Sequence, residues 1–448
     1  MKLEQAKFHF IGIGGIGMSA LAELLHTMGA QVSGSDLKMG KQAEHLKNLG
    51  VQVFIGHEAS HVKDRDVVVY SSAIDNHNPE IQRARELCIP IIPRAEALAE
   101  IMRYKRGIAV GGTHGKTTTT SIISSIFMGS NMDPTIAVGG RLKLIESTAR
   151  LGKGPWMVAE ADESDGSFSR LRPEITIITN IDSDHLDHFG SFENLQKAFL
   201  DFALNIPFYG KAIVFGDDPS IRELFTGFSK RLVYYGFNEN NDYVLSQIDH
   251  GFAVHHNGKE LGVLNMQVPG RHTALNAVAA VIATHTAGVP WDQCFSGANQ
   301  YSGVDRRFQF IGEARGVSVY DDYAHHPTEI SATLQGARQK FPQQKIYVIH
   351  QPHRFTRTRD CWNHYSQAFR DADEIYLLDV YRAGETPIDG IHSKNLAVDI
   401  QGDSFYAENP EKLIAELSTK LKEGDVVFTM GAGDVWQYTH KLLETLKS

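Results

Sequence analysis

VGGTHGKTTTT, residues Val110 to Thr120, follows the short apolar run Gly107 to Val110 and opens a Ser/Thr-rich segment with helical spacing. A strand, a glycine turn and a helix in that order can cradle a triphosphate. Backbone N–H groups turn inward, a flexible cation reaches the outer phosphates and a hydroxyl meets the magnesium ion. Gly111, Gly112 and Gly115 free the backbone, Lys116 is the cation and Thr117 the hydroxyl. The usual P-loop pattern has a further glycine where this chain carries Val110, so the match is a variant that other segments must support. The competing reading is a glycine-rich turn opening an ordinary helix.

Working outward from this loop, short apolar runs alternate with helix-period segments along the whole chain, the pattern of parallel sheets covered by helices. Strands are expected at Phe8 to Ile13, Gln31 to Ser35, Val67 to Ser72, Trp156 to Ala161, Ile175 to Asn180 and Ala212 to Phe215. A second restart after Arg306-Arg307 brings Val317 to Asp321, Ile346 to His350, Ile375 to Asp379 and Val426 to Met430. Helices are expected at Met18 to Met28 and, after Pro90 and Pro93 interrupt the pattern, at about Ala95 to Arg103. The Asn- and His-rich stretch from Asn238 to Asn257 reads as surface hairpins, with His255-His256 at the surface. A chain of 448 residues is too long for one core and suggests about three domains. The expected fold is α/β in three domains: a Rossmann-like domain over 1–104, a central P-loop ATPase-like α/β domain over 105–307 and a Rossmann-like domain over 308–448.

With 42% hydrophobic and 22% charged residues, the composition supplies cores and argues against disorder. A formal charge of -9 argues against a sequence-independent nucleic-acid binder. Cys88, Cys294 and Cys361 are widely spaced, which offers neither a disulfide framework nor a zinc knuckle and fits a reducing cytoplasm. The first residues lack a signal-peptide core, and no apolar run reaches the roughly 18 residues of a membrane span. The expectation is a protein neither exported nor embedded.

Gly12-Ile-Gly14-Gly15-Ile-Gly17 follows the first strand and opens its helix, and Ser35-Asp36 ends the second strand about 20 residues later, as in a dinucleotide fingerprint. Taken alone it points to an NAD-dependent oxidoreductase. The physics is broader: glycine turns and a helix N-terminus accept any diphosphate, and the acidic residue can hold any ribose or base edge. A triphosphate cradle downstream favours a nucleotide-sugar diphosphate, because a simple dehydrogenase has no use for a second nucleotide site.

Glu160-Ala-Asp-Glu-Ser-Asp165 would project carboxylates from a strand's C-terminal edge, where α/β sheets place ligands. Magnesium prefers such oxygen donors and completes its shell with waters and phosphates, so Thr117 and Glu160 suit a first ion. Asn180-Ile-Asp-Ser-Asp-His185-Leu-Asp187 ends the next strand, where His185 could help hold a second ion near the transferred phosphoryl group. The alternative for either run is a solvated loop.

Gly270-Arg-His-Thr-Ala-Leu-Asn276 opens an Ala-rich helix, and Gly303-Val-Asp-Arg306-Arg307-Phe closes the central unit. An arginine here could offset charge on a transferring phosphoryl group or form a surface pair with an aspartate. Asp321-Asp-Tyr323-Ala-His325-His326-Pro-Thr-Glu329 and His350-Gln-Pro-His353-Arg354-Phe-Thr-Arg357-Thr-Arg359 each follow a strand. Adjacent histidines without a matching helix motif are poor evidence for zinc. Arg354 and Arg357 instead offer guanidinium forks to a carboxylate.

GTHGKTTTT, EADESD, TNIDSDHLD, GRHxALN, DRRF, DDYAHHPTE and QPHRFTRTRD occur in the order and at roughly the separations seen in the Mur ligases of bacterial cell-wall synthesis. The chain resembles that family over nearly its whole length, and within it most resembles members that join L-alanine to UDP-N-acetylmuramate. The family motif lacks the leading Walker glycine, which accounts for Val110. The resemblance implies an ATP-dependent amide-forming ligase using Mg2+, with Mn2+ a possible substitute, in the bacterial cytoplasm, as monomer or homodimer. It implies ATP contacts at Gly112, Thr113, His114, Gly115, Lys116, Thr117, Thr118, Asn276, Arg307 and Asp321, and metal contacts at Thr117, Glu160 and His185. UDP-sugar contacts are implied at Gly14, Gly15, Asp36, Ser71 and Ser72, and an amino-acid pocket at Tyr323, His325, His353, Arg354 and Arg357. Lys116, His185, Arg307 and His353 are the catalytic candidates. Thr273 departs from the usual asparagine of GRHNALN. A related ligase that recycles a whole murein tripeptide typically has tyrosine at the position of Ser164 and lacks the QPHRFTRTRD form, which favours alanine as acceptor.

Overall fold

Lys7–Ile11, sequence KFHFI, is buried along almost its entire length, as a strand covered on both faces must be. It is the centre of a five-stranded sheet in the computed structural model, which describes residues 3–71, 73–142, 144–164, 166–184 and 186–448. Ser72, Asp165 and His185 lie outside the described residues. The chain divides into two compact units, Met1–Met266 with Leu275–Tyr301, and Gln267–Ala274 with Ser302–Ser448.

In the first unit the N-terminal sheet runs in the order Gln52–Ile55, Gln31–Asp36, Lys7–Ile11, Val67–Tyr70, Ile91–Pro93, with every pairing parallel. Order reverses on either side of Lys7–Ile11, which creates the crevice at the strands' C-terminal ends where doubly wound sheets bind ligands. The prolines expected only to interrupt the pattern instead flank and end the edge strand Ile91–Pro93, a place where a missing N–H is tolerated. The second sheet has ten strands, with Arg106–Gly111 between Ile175–Ile178 and Trp156–Glu160 at its centre. Ile108, Ala109, Val110, Ile177 and Val158 are fully buried there. The helix Lys116–Gly129 is buried although rich in hydroxyls, because Ser121 and Ser124 donate back to the carbonyls of Thr117 and Thr120.

The Asn- and His-rich stretch does form a hairpin, Tyr243–Ile248 with Gly251–His256, and Lys259–Leu264 adds a third antiparallel strand. His255 and His256 are half-buried rather than simply at the surface. His256 stacks on Tyr243 with ring centroids 4.4 Å apart, and His255 Nε2 lies 3.0 Å from Ser246 Oγ.

The second unit holds a six-stranded sheet, Gln309–Ala314, Val317–Asp322, Val426–Met430, Ile346–His350, Glu374–Leu377, Ser404–Tyr406, parallel except at its first pair. The fold is α/β in three domains. Several expected strands stop one or two residues early, at Ile11, Tyr70, Glu160, Ile178 and Leu377, because the chain leaves the sheet there to present its motifs. Among the described residues no helix is long and apolar enough to cross a membrane.

Candidate active site

In the first unit, the turn after Lys7–Ile11 is fastened to the next strand: Gly12 and Ile13 both donate their N–H to Ser35 O, at 2.8 and 3.0 Å. Gly12 sits at φ +81°. Gly14 N–H donates to Asp36 Oδ2 at 2.9 Å, and a Cβ on Gly14 would fall 2.9 Å from that same oxygen. Gly15 precedes the helix Ile16–Thr27 with no side-chain cap, so first-turn N–H groups remain available to an anion. Ser71, just past Val67–Tyr70, lies against Gly12, with its Cβ 3.4 Å from where a Gly12 Cβ would stand. The structure thus gathers Gly14, Gly15, Asp36 and Ser71 around one crevice.

Under this turn lies a buried network that motif reading missed. Ser35 Oγ donates to Glu80 Oε2 at 2.6 Å, and Glu80, from the helix Pro79–Glu86, is fully buried. His61 Nδ1 lies 2.6 Å from Glu80 Oε1, and His57 Nδ1 lies 3.2 Å from Oε2 and 2.9 Å from Ser35 Oγ. Burial opposes ionisation of Glu80, yet His9, with Nε2 3.4 Å from Oε1, and the hydrogen bonds from Ser35 and His61 outweigh it and bring the carboxyl down to about 2.

The phosphate loop runs from Gly112 at φ +128° to Gly115 at φ +82°. A Cβ at Gly112 would fall 2.0 Å from Thr179 Oγ1, and one at Gly115 would fall 2.5 Å from Asn276 Oδ1. Both positions therefore require glycine, and Asn276 is placed directly against the loop. The segment after Ile175–Ile178 fixes the loop's shape. Thr113 N–H donates to Asn180 O, His114 N–H donates to Asn180 Oδ1 at 2.8 Å, and His114 Nε2 lies 3.1 Å from Asp182 Oδ2. Thr117 and Thr118 follow in the first turn of Lys116–Gly129.

Lys116 Nζ donates to Gly112 O at 2.7 Å, Thr113 O at 3.1 Å and Glu163 at 2.8 Å. Burial opposes its charge, but Glu163, Asp162 and Glu160 hold the ammonium above its ordinary value. Burial pushes Glu163 up to about 7, and Asp162 adds to this against the pull of Lys116. Glu160 accepts from Gly139 N–H at 3.0 Å. Thr117, Glu160, Asp162 and Glu163 offer oxygen donors of the kind magnesium prefers, with Asp162 paired to Arg94 and Glu163 to Lys116. A cavity of about 320 Å³ lies between the glycine turn and this cluster, lined by Gly15, Gly17, Ser71, Arg94, Glu160 and Asp162 among others.

In the second unit, Arg306, at φ +60°, places its Nε 3.1 Å from Asp321 Oδ2, and Asp321 also accepts from Thr429 Oγ1 at 2.9 Å. The guanidinium of Arg307 stands 5.2 Å from the Tyr323 ring centroid and 3.5 Å from Glu329 Oε1. His325 Nδ1 lies 3.0 Å from Tyr323 O and 3.4 Å from Glu329 Oε2; burial, helped by Arg357 and His353, brings it down to about 3. His353 Nδ1 lies 3.3 Å from Arg357 Nη1, and its ring stacks on Tyr381 at 5.5 Å. Arg354 Nε donates to Glu385 at 2.7 Å, and Thr356 donates to the same carboxylate through both N–H and Oγ1. Tyr323, His325, His353, Arg354 and Arg357 therefore share one neighbourhood. Glu329 and Glu385, which tie it together, are supports that motif reading did not single out.

Family models match the chain in three consecutive stretches: Mur ligase family, catalytic domain, over 7–106; Mur ligase middle domain over 110–284; and Mur ligase, glutamate ligase domain, over 306–433. A UDP-N-acetylmuramate–L-alanine ligase of Bdellovibrio bacteriovorus is 57% identical over 454 residues, covering 100% of both chains. One from Pelobacter propionicus is 46% identical, covering 98% of each. Among solved structures, a UDP-N-acetylmuramate–alanine ligase from Thermotoga maritima superposes with a TM-score of 0.82 at 31% identity, covering 98% of this chain and 99% of that one. A murein peptide ligase from Psychrobacter arcticus shares the fold, with a TM-score of 0.72 at 24% identity and 99% coverage of each. Glycine turn, variant phosphate loop and acidic strand end thus occur together in a chain matched from end to end, and the chain belongs to the Mur ligase family.

Proposed function

We propose that the chain joins L-alanine to the lactyl carboxylate of UDP-N-acetylmuramate, with cleavage of ATP to ADP and phosphate. The observation that carries this reading is the cavity between the glycine turn and the acidic cluster, with Lys116 tied to that cluster through Glu163. A sugar diphosphate bound at the turn would direct its far end toward a phosphate loop. A hydride-transfer enzyme has no use for that second site.

The roles follow from the chemistry of each group. Gly14, Gly15, Asp36 and Ser71, with Ser72, bind the uridine diphosphate. Gly112, Thr113, His114, Gly115, Thr117, Thr118 and Asn276, with Asp321, hold ATP. The lactyl carboxylate attacks the γ-phosphorus, ADP leaves, and an acyl phosphate forms. Lys116 and Arg307 offset charge on the phosphoryl oxygens, the main requirement of this transfer. Thr117 and Glu160, with His185, would hold Mg2+, which when bound supplies charge neutralisation at the phosphates. Tyr323, His325, His353, Arg354 and Arg357 bind L-alanine. Its amine attacks the acyl carbon and phosphate leaves, with His353 or His325 taking the amine proton. The domain limits 1–104, 105–307 and 308–448 and a cytoplasmic setting belong to the same proposal.

Phosphate release from ATP with UDP-N-acetylmuramate tests it, comparing L-alanine, the murein tripeptide and no acceptor. Turnover that depends on L-alanine supports the reading. Dependence on the tripeptide assigns the chain to recycling, and no turnover with any acceptor overturns the ligase reading.

A further inference from the structure

Arg94 starts the helix Arg94–Met102 directly after the edge strand Ile91–Pro93. Its guanidinium crosses the first turn of Ile16–Thr27, where a Cβ on Gly17 would fall 2.5 Å from Nη1. Gly17 is thus the third glycine of the motif for a reason other than a diphosphate: it makes room for this side chain. Arg94 continues to Asp162, donating from Nη2 to Oδ2 at 2.8 Å. It therefore spans from the glycine turn to the acidic cluster, along the wall of the cavity of about 320 Å³.

Among the described residues lining that cavity, Arg94 is the only cation, facing Glu160 and Asp162. An anionic group entering toward the phosphate loop meets repulsion from both carboxylates. The helix N-terminus can serve a diphosphate, but a carboxylate at the far end of a sugar needs a cation of its own. The Arg94–Asp162 pair is partly open, with 27% and 40% of the side chains exposed, so an arriving ligand can reach it. A guanidinium fork already matched to one carboxylate matches another equally well.

We infer that Arg94 recognises the lactyl carboxylate of the sugar nucleotide, Asp162 occupying the guanidinium until that substrate arrives. This rests on the reading of the chain as a UDP-N-acetylmuramate ligase. Arg94 is then a specificity residue: UDP-N-acetylglucosamine carries the same diphosphate but no carboxylate and gains nothing from it.

The test is calorimetric binding of UDP-N-acetylmuramate and UDP-N-acetylglucosamine to the wild-type protein, Arg94→Ala and Arg94→Lys. Arg94→Ala is expected to weaken the muramate about tenfold or more and to leave the glucosamine nucleotide within about twofold, which also shows that the variant is folded. Arg94→Lys, a point charge without the fork, is expected to fall between. If Arg94→Ala binds neither nucleotide, the same ratio is read from Arg94→Lys. Equal weakening of both nucleotides in a folded variant would assign the arginine to the diphosphate and overturn the inference, as would no change in either. A wild-type protein that binds neither overturns the functional reading and the inference with it.

Discussion

Replacing Glu80 with glutamine should loosen the floor of the nucleotide-sugar crevice by an amount that depends on pH in a defined way. Glu80 is fully buried and lowered from 4.5 to about 2. A carboxyl whose folded value is depressed contributes stability above its unfolded value and loses it as pH falls through the folded value. The shift corresponds to about 3 kcal/mol at neutral pH. By pH 3.5 the wild type has lost roughly 1.4 kcal/mol of that. The amide also brings a donor among groups that already donate, Ser35 and His61. Hydrogen exchange of amides in Lys7–Ile11 and Gln31–Asp36 should show opening free energies lower by about 3 kcal/mol in the variant at pH 7, and by only about 2 kcal/mol at pH 3.5. KM for UDP-N-acetylmuramate should rise with little change in KM for ATP. A deficit below about 1 kcal/mol at pH 7, or one that does not narrow in acid, would refute the reasoning.

Gly115→Ala places a side chain in left-handed backbone and a Cβ 2.5 Å from Asn276 Oδ1, so we expect a loss of about 1–3 kcal/mol and a higher KM for ATP; thermal melts with steady-state kinetics read both. Glu385→Gln removes the carboxylate that fixes Arg354 and Thr356 and should raise KM for L-alanine about tenfold with KM for ATP unchanged; equal changes in both would count against an amino-acid pocket there. Replacing His325 and His353 together by glutamine should lower kcat across the neutral range, where a His325 ring held down to about 3 is already an unprotonated base; a pH profile of turnover reads this, and normal turnover would remove both as bases.

The phosphate loop and glycine turn were legible because each is a local device: glycine supplies left-handed backbone within a few residues of the strand it follows. Core strands such as Ile346–His350 were legible for a similar reason, since burial on both faces leaves an unbroken apolar run. Edge elements were not. Gln52–Ile55 is buried on neither face and Ile91–Pro93 is three residues long; Thr135–Leu142, one strand in from the edge of its sheet, contains two adjacent glycines. The supports of the site were harder still. Glu80 reaches Ser35 across 45 residues, and Arg94 reaches Asp162 across 68, distances bridged only by the order of strands in the sheets. Neither residue belongs to a motif, and a glutamate at a helix start or an arginine after a proline reads as ordinary surface.

The most direct test of the account follows oxygen. UDP-N-acetylmuramate labelled with 18O in its lactyl carboxylate should deliver one labelled oxygen to inorganic phosphate per turnover with ATP and L-alanine, because the carboxylate oxygen bonded to phosphorus leaves with it. Phosphate that carries no label while amide forms would contradict activation of the carboxylate by phosphoryl transfer, and with it the roles assigned to Lys116 and the acidic cluster.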